Sequence, residues 1–345
     1  MIQVLAIKTI DDLEEELSRP TTGVLDTLRS VTGDVLVLGA GGKMGPTLAR
    51  MVRRGLNEIG HEQRRVIAVS RFSKTKAASE LQQHGVETIS CDLLDREAVK
   101  ALPDSPNVVF MAGQKFGTND TPELTWVMNT LVPAIVAERF AKSRIVVFST
   151  GCVYSMVRAD GPGANEEGLI SPPGEYANSC VGRERVFAHF SKQQGTQVLL
   201  FRLCYAIDLR YGVLCDVATK VATGKPIDIS MGVVNVIWQG DASARAIQCL
   251  AHTTSPPVAL NVTGLDRVSV RWLAHRFGKL LDCDPIITGK EGDTAWLWDA
   301  SRSYELFGPP RVSLDSMIKA TADWVRRGGA LLGKPTHFEA TEGQF

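Results

Sequence analysis

Three glycines spaced three residues apart follow the first strongly apolar run of the chain. The run is Asp34–Leu38 (DVLVL), and Gly39–Gly45 then reads GAGGKMG before a helical pattern begins. Glycine permits a tight turn and close approach of the backbone to a pyrophosphate, and the helix that follows presents unpaired N–H groups to the phosphates. A GxxGxxG sequence between a strand and a helix is a much stronger signal than an isolated glycine motif. The loop therefore predicts a βαβ unit that binds a dinucleotide.

Apolar runs and helical patterns alternate regularly from residue 34 to about residue 205. The runs are continuous rather than alternating, which is typical of strands buried on both faces of a parallel sheet. The predicted strands are Asp34–Leu38, Val66–Ser70, Glu87–Cys91, Asn107–Met111, Arg144–Ser149 and Gln197–Leu203. The predicted helices between them are Pro46–Arg54, Lys74–His84, Glu123–Ala141 and Tyr176–Gln193. The pattern predicts an α/β fold with a Rossmann-type doubly wound parallel sheet.

The pattern loosens after about residue 206, which predicts a smaller C-terminal α/β substrate lobe. Its predicted strands are Ile227–Trp238 and Ala259–Val262, and its predicted helices are Val270–Leu281 and Leu314–Arg327. Two short helices, Asp11–Leu17 and Thr22–Arg29, are predicted before the main pattern, in an arm without chemistry of its own. The predicted domains are an N-terminal packing arm (1–31), a dinucleotide-binding domain (32–205, with 236–264 returning to it), a substrate-binding lobe (206–235 and 265–330) and a C-terminal tail (331–345).

The composition excludes several classes of function. The 345 residues include 38 Lys+Arg and 38 Asp+Glu, so the balanced charge gives no support for binding to nucleic acid or an anionic membrane. No stretch approaches the ~20 apolar residues that a membrane span requires. The seven cysteines lack CxxC spacing and the six histidines lack metal-ligand spacing, so we expect no disulfide framework and no metal site. Free thiols and an N-terminus without a basic, apolar leader favour a cytoplasmic location.

The end of the second strand bears on which dinucleotide is bound. Proteins that bind NAD usually place an acidic residue here, against the ribose 2′-hydroxyl. This chain reads Ser70-Arg71-Phe72-Ser73, so no carboxylate repels a 2′-phosphate and Arg71 can pair with one. The sequence therefore favours NADP(H) over NAD(H); the alternative for Arg71 is a solvated surface arginine.

Further segments resemble the extended short-chain dehydrogenase/reductase family, the NAD(P)-dependent epimerase/dehydratase group, over about residues 34–327. The matching segments are Cys91-Asp92-Leu93, Phe110–Lys115, Asn129, Ser149–Tyr154 and Pro172–Glu184, with further landmarks at Arg202, Asp241, Asn261, Gly264 and Trp324. The resemblance implies that Tyr176 and Thr150 carry the catalytic hydroxyls. With the glycine loop and the end of the second strand, the cofactor-binding candidates are Gly39, Gly41, Gly42, Lys43, Met44, Ser70, Arg71, Asp92, Leu93, Met111, Ala112, Gly113, Lys115 and Asn129.

One position breaks the family pattern. The family's working unit is Tyr-x-x-x-Lys, whose two side chains lie on one helix face and whose lysine holds the nicotinamide ribose and favours tyrosinate. A free tyrosine titrates near ~10, so a nearby cation is needed to bring its pKa toward neutrality. Tyr176 is present here, but position 180 is a cysteine.

Three interpretations follow from Cys180. In the first, the enzyme is active and another cation replaces the lysine, either Lys115 or Arg183, which lies a turn further along the helix. In the second, the chemistry needs only a neutral hydroxyl, from Tyr176 or Thr150, that donates a hydrogen bond to a carbonyl. In the third, catalysis is lost and the protein binds or senses the dinucleotide. Cys180 is itself a catalytic candidate as a reactive thiol, although a small residue filling the lysine's place is the simpler interpretation.

Other departures bear on the substrate. Gly151 and Cys152 stand where sugar dehydratases carry an acid pair, so elimination has no evident acid and base. Val234 stands where nucleotide-sugar enzymes carry an arginine for the diphosphate, and the usual asparagine near Tyr205 is absent. A free sugar, a sugar acid or another small carbonyl or hydroxyl compound fits at least as well as a nucleotide sugar.

The sequence thus predicts an NAD(P)-dependent oxidoreductase or epimerase of the extended short-chain dehydrogenase type with a small-molecule substrate. The alternative is a non-catalytic NADP(H)-binding or redox-sensing protein. By analogy with the family, we expect a homodimer formed through the helix after the fourth strand and the helix that carries Tyr176. In the first of these helices, Leu131, Ile135, Val136 and Phe140 are predicted to form an apolar stripe.

Overall fold

The computed structural model describes residues 6–73, 75–115, 120–334 and 336–341. The first five residues of the predicted arm, Lys74 of a predicted helix, and Pro335 and 342–345 of the predicted tail lie outside the described residues.

A seven-stranded sheet forms the centre of the molecule, and every neighbouring pair of its strands is parallel. The strands are β1 (Val35–Leu38), β2 (Val66–Ser70), β3 (Glu87–Ser90), β4 (Asn107–Phe110), β5 (Arg144–Thr150), β6 (Gln197–Leu203) and β7 (Val258–Val262). Their spatial order is β3-β2-β1-β4-β5-β6-β7, so the strand order reverses between β1 and β4. This is the order of a doubly wound Rossmann sheet, and the predicted fold class is confirmed.

Helices connect the strands and build the C-terminal lobe. They are α1 (Ile10–Leu17), α2 (Thr22–Ser30), α3 (Gly45–Glu58), α4 (Thr75–Gln83), α5 (Arg96–Lys100), α6 (Pro122–Trp126), α7 (Val132–Arg139), α8 (Gly174–Gln194), α9 (Val213–Ala222), α10 (Gln239–Gln248), α11 (Val270–Leu281), α12 (Ser301–Phe307) and α13 (Leu314–Arg326). A π-helical turn, Val127–Leu131, joins α6 to α7, and 3-10 turns at Gly151–Val153 and Cys249–His252 follow β5 and α10.

Two helical layers cover the sheet. Val35 and Val37 of β1 pack in a cluster with α2, α3 and α10, whereas Leu36 and Leu38 pack in a cluster with α5, α7 and α8. Successive side chains of a strand point to opposite faces, so burial of both faces requires a continuous apolar run. The same packing corrects the predicted dimer stripe. Ile135, Val136 and Phe140 are buried within the chain, and only Leu131 of that set is exposed.

The C-terminal lobe packs α9, α11 and α13 around Trp296 and Trp298. The prediction of one strand over Ile227–Trp238 was wrong. The segment forms three two-residue strands, Ile227–Asp228, Val233–Val234 and Ile237–Trp238, and each pairs with a different partner because turns interrupt the segment. Two-residue strands also lie at Val157–Arg158, Ala206–Ile207, Val268–Ser269, Ile287–Thr288 and Thr294–Ala295.

A segment near each end of the chain, at Glu14 and at Thr336, contacts the body of the protein. Glu14 in α1 pairs with Arg210 at 2.6 Å. Near the other end, Thr336 donates both its amide and its hydroxyl to the Asp216 carboxylate in α9, at 2.8 and 2.6 Å. The predicted domain boundaries stay a prediction. None of the described helices is both long and apolar enough to cross a membrane.

Candidate functional site

A cleft of about 760 Å³ lies between the glycine loop, the ends of β4 and β5, and the C-terminal lobe. Its wall contains most of the residues that the sequence singled out, namely Gly39, Gly41, Gly42, Lys43, Met44, Met111, Ala112, Gly113, Lys115, Thr150 and Tyr176. The other candidates, Ser70, Arg71, Asp92, Leu93, Asn129 and Cys180, do not line this cleft. Among the described residues, no group of three or more His, Cys, Asp and Glu side chains is arranged to hold a metal ion.

Close contacts explain two of the three motif glycines. Gly39 has a φ of +86°, and a Cβ there would lie 2.5 Å from the Ala112 nitrogen. A Cβ on Gly45 would lie 2.4 Å from the Ala40 carbonyl oxygen, so α3 packs directly on the turn. Gly42 differs, because the nearest heavy atom to its Cβ position is 3.4 Å away. Packing therefore does not explain the glycine at position 42, which borders open space in the cleft.

The first turn of α3 is open toward a ligand. Gly45 begins the helix, Pro46 occupies its first turn, and no side chain caps it. The first N–H groups of an α-helix have no partner within the helix and carry a partial positive charge. Together with the space at Gly42, this turn fits a bound pyrophosphate.

The candidates after β2 and β3 lie to one side of the cleft. Ser70 is half-buried, and its Oγ lies 2.6 Å from the Cβ position of Gly41. Arg71 is exposed. Asp92 is exposed and accepts a 3.0 Å hydrogen bond from the Leu94 amide, whereas Leu93 is buried in the core. The cofactor-binding roles of these residues stay predictions.

A buried polar network fixes the turn after β4. Asn129 accepts a hydrogen bond from the Gln114 amide and donates one to the Gln114 carbonyl oxygen, both at 3.0 Å. Its amide also donates to Ser179 of α8 at 2.8 Å. Arg183 donates to Asn129 Oδ1 at 2.5 Å and to the Phe148 carbonyl oxygen at 2.8 Å. Asn129 thus positions the turn from below the cleft.

Gly113 is required by the same network. A Cβ at this position would lie 2.1 Å from Arg183 Nη2 and 2.8 Å from Asn129 Oδ1. The guanidinium group therefore occupies the space that a side chain at position 113 would need.

Tyr176 and Thr150 meet in the cleft, and the phenol is held neutral. Burial raises the pKa of Tyr176 well above its usual value, the nearby Cys180 and Cys152 thiols add to the shift, and the charge of Arg183 and hydrogen bonding with Thr150 oppose it. The phenol is therefore protonated at neutral pH, which is the state that the second interpretation of Cys180 requires.

Cys180 lies beneath this pair and is fully buried. Burial raises the pKa of its thiol, and the charge of Arg183 opposes the shift. A catalytic role for Cys180 stays a prediction, and its burial argues against a reactive thiolate. Burial also lowers the pKa of Lys115, whereas interaction with Cys152 and Cys180 opposes that shift. The Lys115 amino group therefore lies near the thiol that replaces the family's lysine.

The sequence missed several parts of the cleft wall, among them Glu14, Cys204, Tyr211, Leu332 and Thr336. Glu14 belongs to the arm that was predicted to lack chemistry, and Leu332 and Thr336 belong to the predicted tail. The Leu332 amide donates to the Arg210 carbonyl oxygen at 3.0 Å, which holds the tail against the cleft. No local sequence pattern predicts such contacts between distant segments of the chain.

Two aromatic residues of the cleft wall pack against each other. The rings of Tyr205 and Trp298 meet edge-on at 5.0 Å, and Tyr205 has a positive φ of 41°. Trp298 belongs to the cleft wall, whereas Trp238 is fully buried and does not line the cleft. Tyr205 and Trp298 therefore give this part of the cleft an aromatic wall.

Comparison with known proteins assigns the chain to a protein family. A family model described as the NAD dependent epimerase/dehydratase family matches residues 35–229, which is more than half of the chain. A search of curated proteins found no significant match.

Solved structures share the fold at low identity. A UDP-glucose 4-epimerase from Thermotoga maritima with UDP-glucose is 17% identical, with a TM-score of 0.68 over 86% of this chain and 99% of that one. The Thermus thermophilus UDP-glucose 4-epimerase with NAD is 18% identical, with a TM-score of 0.68 over 86% and 100%. DesIV, a dTDP-glucose 4,6-dehydratase from Streptomyces venezuelae with NAD, is 17% identical, with a TM-score of 0.71 over 85% and 97%. Since the match of residues 35–229 spans both the glycine loop and the Tyr176 helix, the chain belongs to the NAD-dependent epimerase/dehydratase family.

Proposed function

We propose that the protein is an NAD(P)-dependent oxidoreductase or epimerase that acts on a sugar, a sugar acid or another small carbonyl or hydroxyl compound. The observation that carries this proposal is that one cleft is lined by both the glycine loop and the Tyr176–Thr150 pair. A bound nicotinamide cofactor supplies a hydride donor or acceptor. The glycine loop and the open first turn of α3 would hold its pyrophosphate, and Met111–Lys115 would lie along it.

The proton chemistry then falls to neutral hydroxyl groups. The protonated Tyr176 phenol can donate a hydrogen bond, and finally its proton, to the oxygen of a carbonyl substrate. The positive charges of Arg183 and Lys115 would stabilise the phenolate that remains. Because the phenol is protonated at neutral pH, the arrangement favours carbonyl reduction, whereas alcohol oxidation needs the less accessible phenolate.

We favour NADP(H) as the cofactor, although the relatives named above that hold a cofactor bind NAD. The support is the exposed Arg71 after β2, with no carboxylate over residues 70–73. Calorimetric titration with both dinucleotides tests this preference. We expect NADP(H) to bind more tightly, and Arg71→Ala to weaken NADP(H) at least tenfold while changing NAD(H) little. An equal loss for both cofactors would contradict a role for Arg71 in cofactor choice.

The alternative is a non-catalytic NADP(H)-binding or redox-sensing protein, which the buried Cys180 in place of lysine supports. The two functions separate in one assay: NADPH oxidation with a panel of aldoses, ketoses, uronic acids and small aldehydes. Turnover that falls at least a hundredfold in Tyr176→Phe supports the enzyme. Tight NADPH binding without turnover on any member of the panel supports the alternative, and absence of cofactor binding contradicts both.

Two further proposals concern the state of the protein. We propose a homodimer, with the exposed Leu124, Trp126 and Leu131 beside α8 at its interface. A monomer in sedimentation at micromolar concentration would contradict it. We also propose a cytoplasmic location, which accords with seven cysteines that form no disulfide.

A further inference from the structure

The cleft is basic although the chain as a whole is balanced. Its wall contains five cationic side chains, Lys43, Lys115, Arg183, Arg210 and Lys334, and one carboxylate, Glu14, among the described residues. Over the whole sequence, 38 basic residues face 38 acidic ones. A cleft lined by one sign of charge concentrates ligands of the opposite sign. A bound dinucleotide accounts for part of this charge, and protein groups hold some of the basic side chains.

The two arginines of the cleft wall are held by protein groups. Arg210 pairs with Glu14 at 2.6 Å and with the buried Asp208 at 3.0 Å. Arg183 donates to Asn129 and to the Phe148 carbonyl oxygen beneath the turn after β4. Their terminal nitrogens therefore serve the scaffold of the cleft.

Lys43 is different. Its Nζ is buried and has no hydrogen-bond partner among the described residues. It lies 4.0 Å from the centre of the Tyr211 ring. A cation–π contact recovers only part of the free energy that an ammonium group loses on leaving water, so a buried ammonium without a hydrogen-bonded anion is unfavourable.

The Lys43 side chain extends from the glycine loop to the C-terminal lobe. Its backbone belongs to the glycine loop, but its side chain reaches Tyr211, in the segment that opens the C-terminal lobe. The charged or titratable groups that act on it are Asp208, Lys115, Arg210 and Cys215. Three of these belong to residues 208–215, in the predicted substrate-binding lobe. Burial lowers the pKa of Lys43 to about 8, and attraction to Asp208 opposes the shift.

We infer that Lys43 binds an anionic group of the substrate, a carboxylate or a phosphate, against the face of Tyr211. This inference rests on the proposed function and narrows it to acidic carbonyl or hydroxyl compounds, such as sugar acids or sugar phosphates. Lys43 is then a specificity-determining residue that discriminates acidic substrates from neutral ones.

The test compares acidic probes with their neutral parents. Galacturonate and glucose 6-phosphate are titrated against galactose and glucose by calorimetry, with the protein saturated in NADP⁺, for wild type, Lys43→Met and Lys43→Arg. Methionine keeps an apolar side chain over Tyr211 and removes the ammonium group with its charge. Lys225→Met, at an exposed lysine outside the cleft, is the matched control. Thermal unfolding checks that each variant is folded, and NADP⁺ affinity is measured separately for each.

We expect one acidic probe to bind at least ten times more tightly than its neutral parent. This preference should vanish in Lys43→Met and persist in Lys43→Arg and Lys225→Met. The preferred probe decides between carboxylate and phosphate. The inference is overturned if no acidic probe is preferred or if the preference survives Lys43→Met. If the preference survives and Lys43→Met also weakens NADP⁺ binding tenfold, Lys43 belongs to the cofactor site. If the wild type does not bind NADP⁺, the proposed function itself is contradicted.

Discussion

Trp298 Nε1 donates a hydrogen bond of 2.8 Å to the Gly151 carbonyl oxygen, and a Cβ on Gly151 would lie 2.3 Å from the same nitrogen. The indole thus fills the space of the acidic side chain that the resemblance places here in sugar dehydratases. The adjoining position is Cys152, whose thiol pKa is raised by burial. The cleft therefore lacks an acid at both positions, which supports an oxidoreductase or epimerase rather than a dehydratase.

The first prediction tests this packing. Gly151→Ala should lower the free energy of unfolding by about 2–3 kcal/mol, because the new methyl group meets both the indole and the Cys204 thiol. Urea unfolding measures the loss. Combining it with Trp298→Phe, which shortens the ring system, should recover part of the loss, since neighbouring changes are not additive. Additive losses in the double variant would show that the indole does not restrict position 151.

The second prediction separates folding from cofactor binding within the glycine loop. Gly42→Ala should unfold within about 1 kcal/mol of wild type, because its Cβ meets nothing closer than 3.4 Å. Its methyl group should nevertheless weaken the cofactor at least tenfold, since it enters the space assigned to the pyrophosphate. Calorimetry and urea unfolding measure the two quantities.

Gly45→Ala is the matched comparison, because its Cβ would meet the Ala40 carbonyl oxygen at 2.4 Å. That variant should be destabilised by about 1–3 kcal/mol. Full cofactor affinity in a folded Gly42→Ala variant would place the pyrophosphate elsewhere.

The third prediction concerns Arg202, which matched the family resemblance in the sequence but had no predicted role. Arg202 pairs with Glu184 at 2.7 Å, and both side chains are buried. Arg202 also donates to the Tyr154 hydroxyl at 2.6 Å. Arg202→Met leaves the buried Glu184 carboxylate without its cation, with the Ser149 hydroxyl as a remaining donor at 2.5 Å, so we expect a loss of about 3–5 kcal/mol in urea unfolding.

Two variants control this measurement. Arg158→Met removes an exposed pair with Asp160 and should cost at most about 1 kcal/mol. Adding Glu184→Gln to Arg202→Met should restore part of the stability, because it removes the buried charge. An Arg202→Met loss no larger than that of Arg158→Met would mean that water reaches Glu184.

The sheet was predictable because its determinants are local. Each central strand is a short apolar run, and both ends of all seven strands lie within one residue of the predicted ends. Helix α10 (Gln239–Gln248) was not predicted, although it directly follows the predicted strand residues that end at Trp238. Almost all of its residues are buried, including the polar Asp241 and Arg245, so polarity along its sequence does not indicate which residues face solvent. Asp241 accepts from the Val312 amide at 3.0 Å and Arg245 donates to Ser303 at 2.9 Å, which a periodicity argument cannot reveal.

The residues of the candidate site also fall into those with a local sequence pattern and those brought together only by the fold. The glycine loop and the Tyr176 segment were found because each carries its pattern within a few residues. The contact of Gly113 with Arg183, 70 positions later, was not found. Nor was the contribution of the C-terminal segment, whose Leu332 and Thr336 reach the cleft only after the lobe has folded.

The last prediction concerns the pH dependence that a neutral Tyr176 imposes. A tyrosine whose pKa is raised keeps its proton as the pH rises, and Tyr176 is raised by burial and by the thiols at positions 180 and 152. With a substrate found in the panel assay, the Tyr176 phenol should support carbonyl reduction at a constant rate from pH 6 to 9. Alcohol oxidation should rise about tenfold per pH unit over the same range, because it requires the phenolate. Tyr176→Phe should lower both rates by about 10²–10⁴-fold and abolish the slope.

Tyr304→Phe, at a tyrosine outside the cleft wall, should preserve both profiles. A fall in the reduction rate centred near pH 7, present in the wild type and absent from Tyr176→Phe, would show instead that Lys115 or Arg183 lowers the phenol pKa as the family's lysine does, and that the first interpretation of Cys180 is correct.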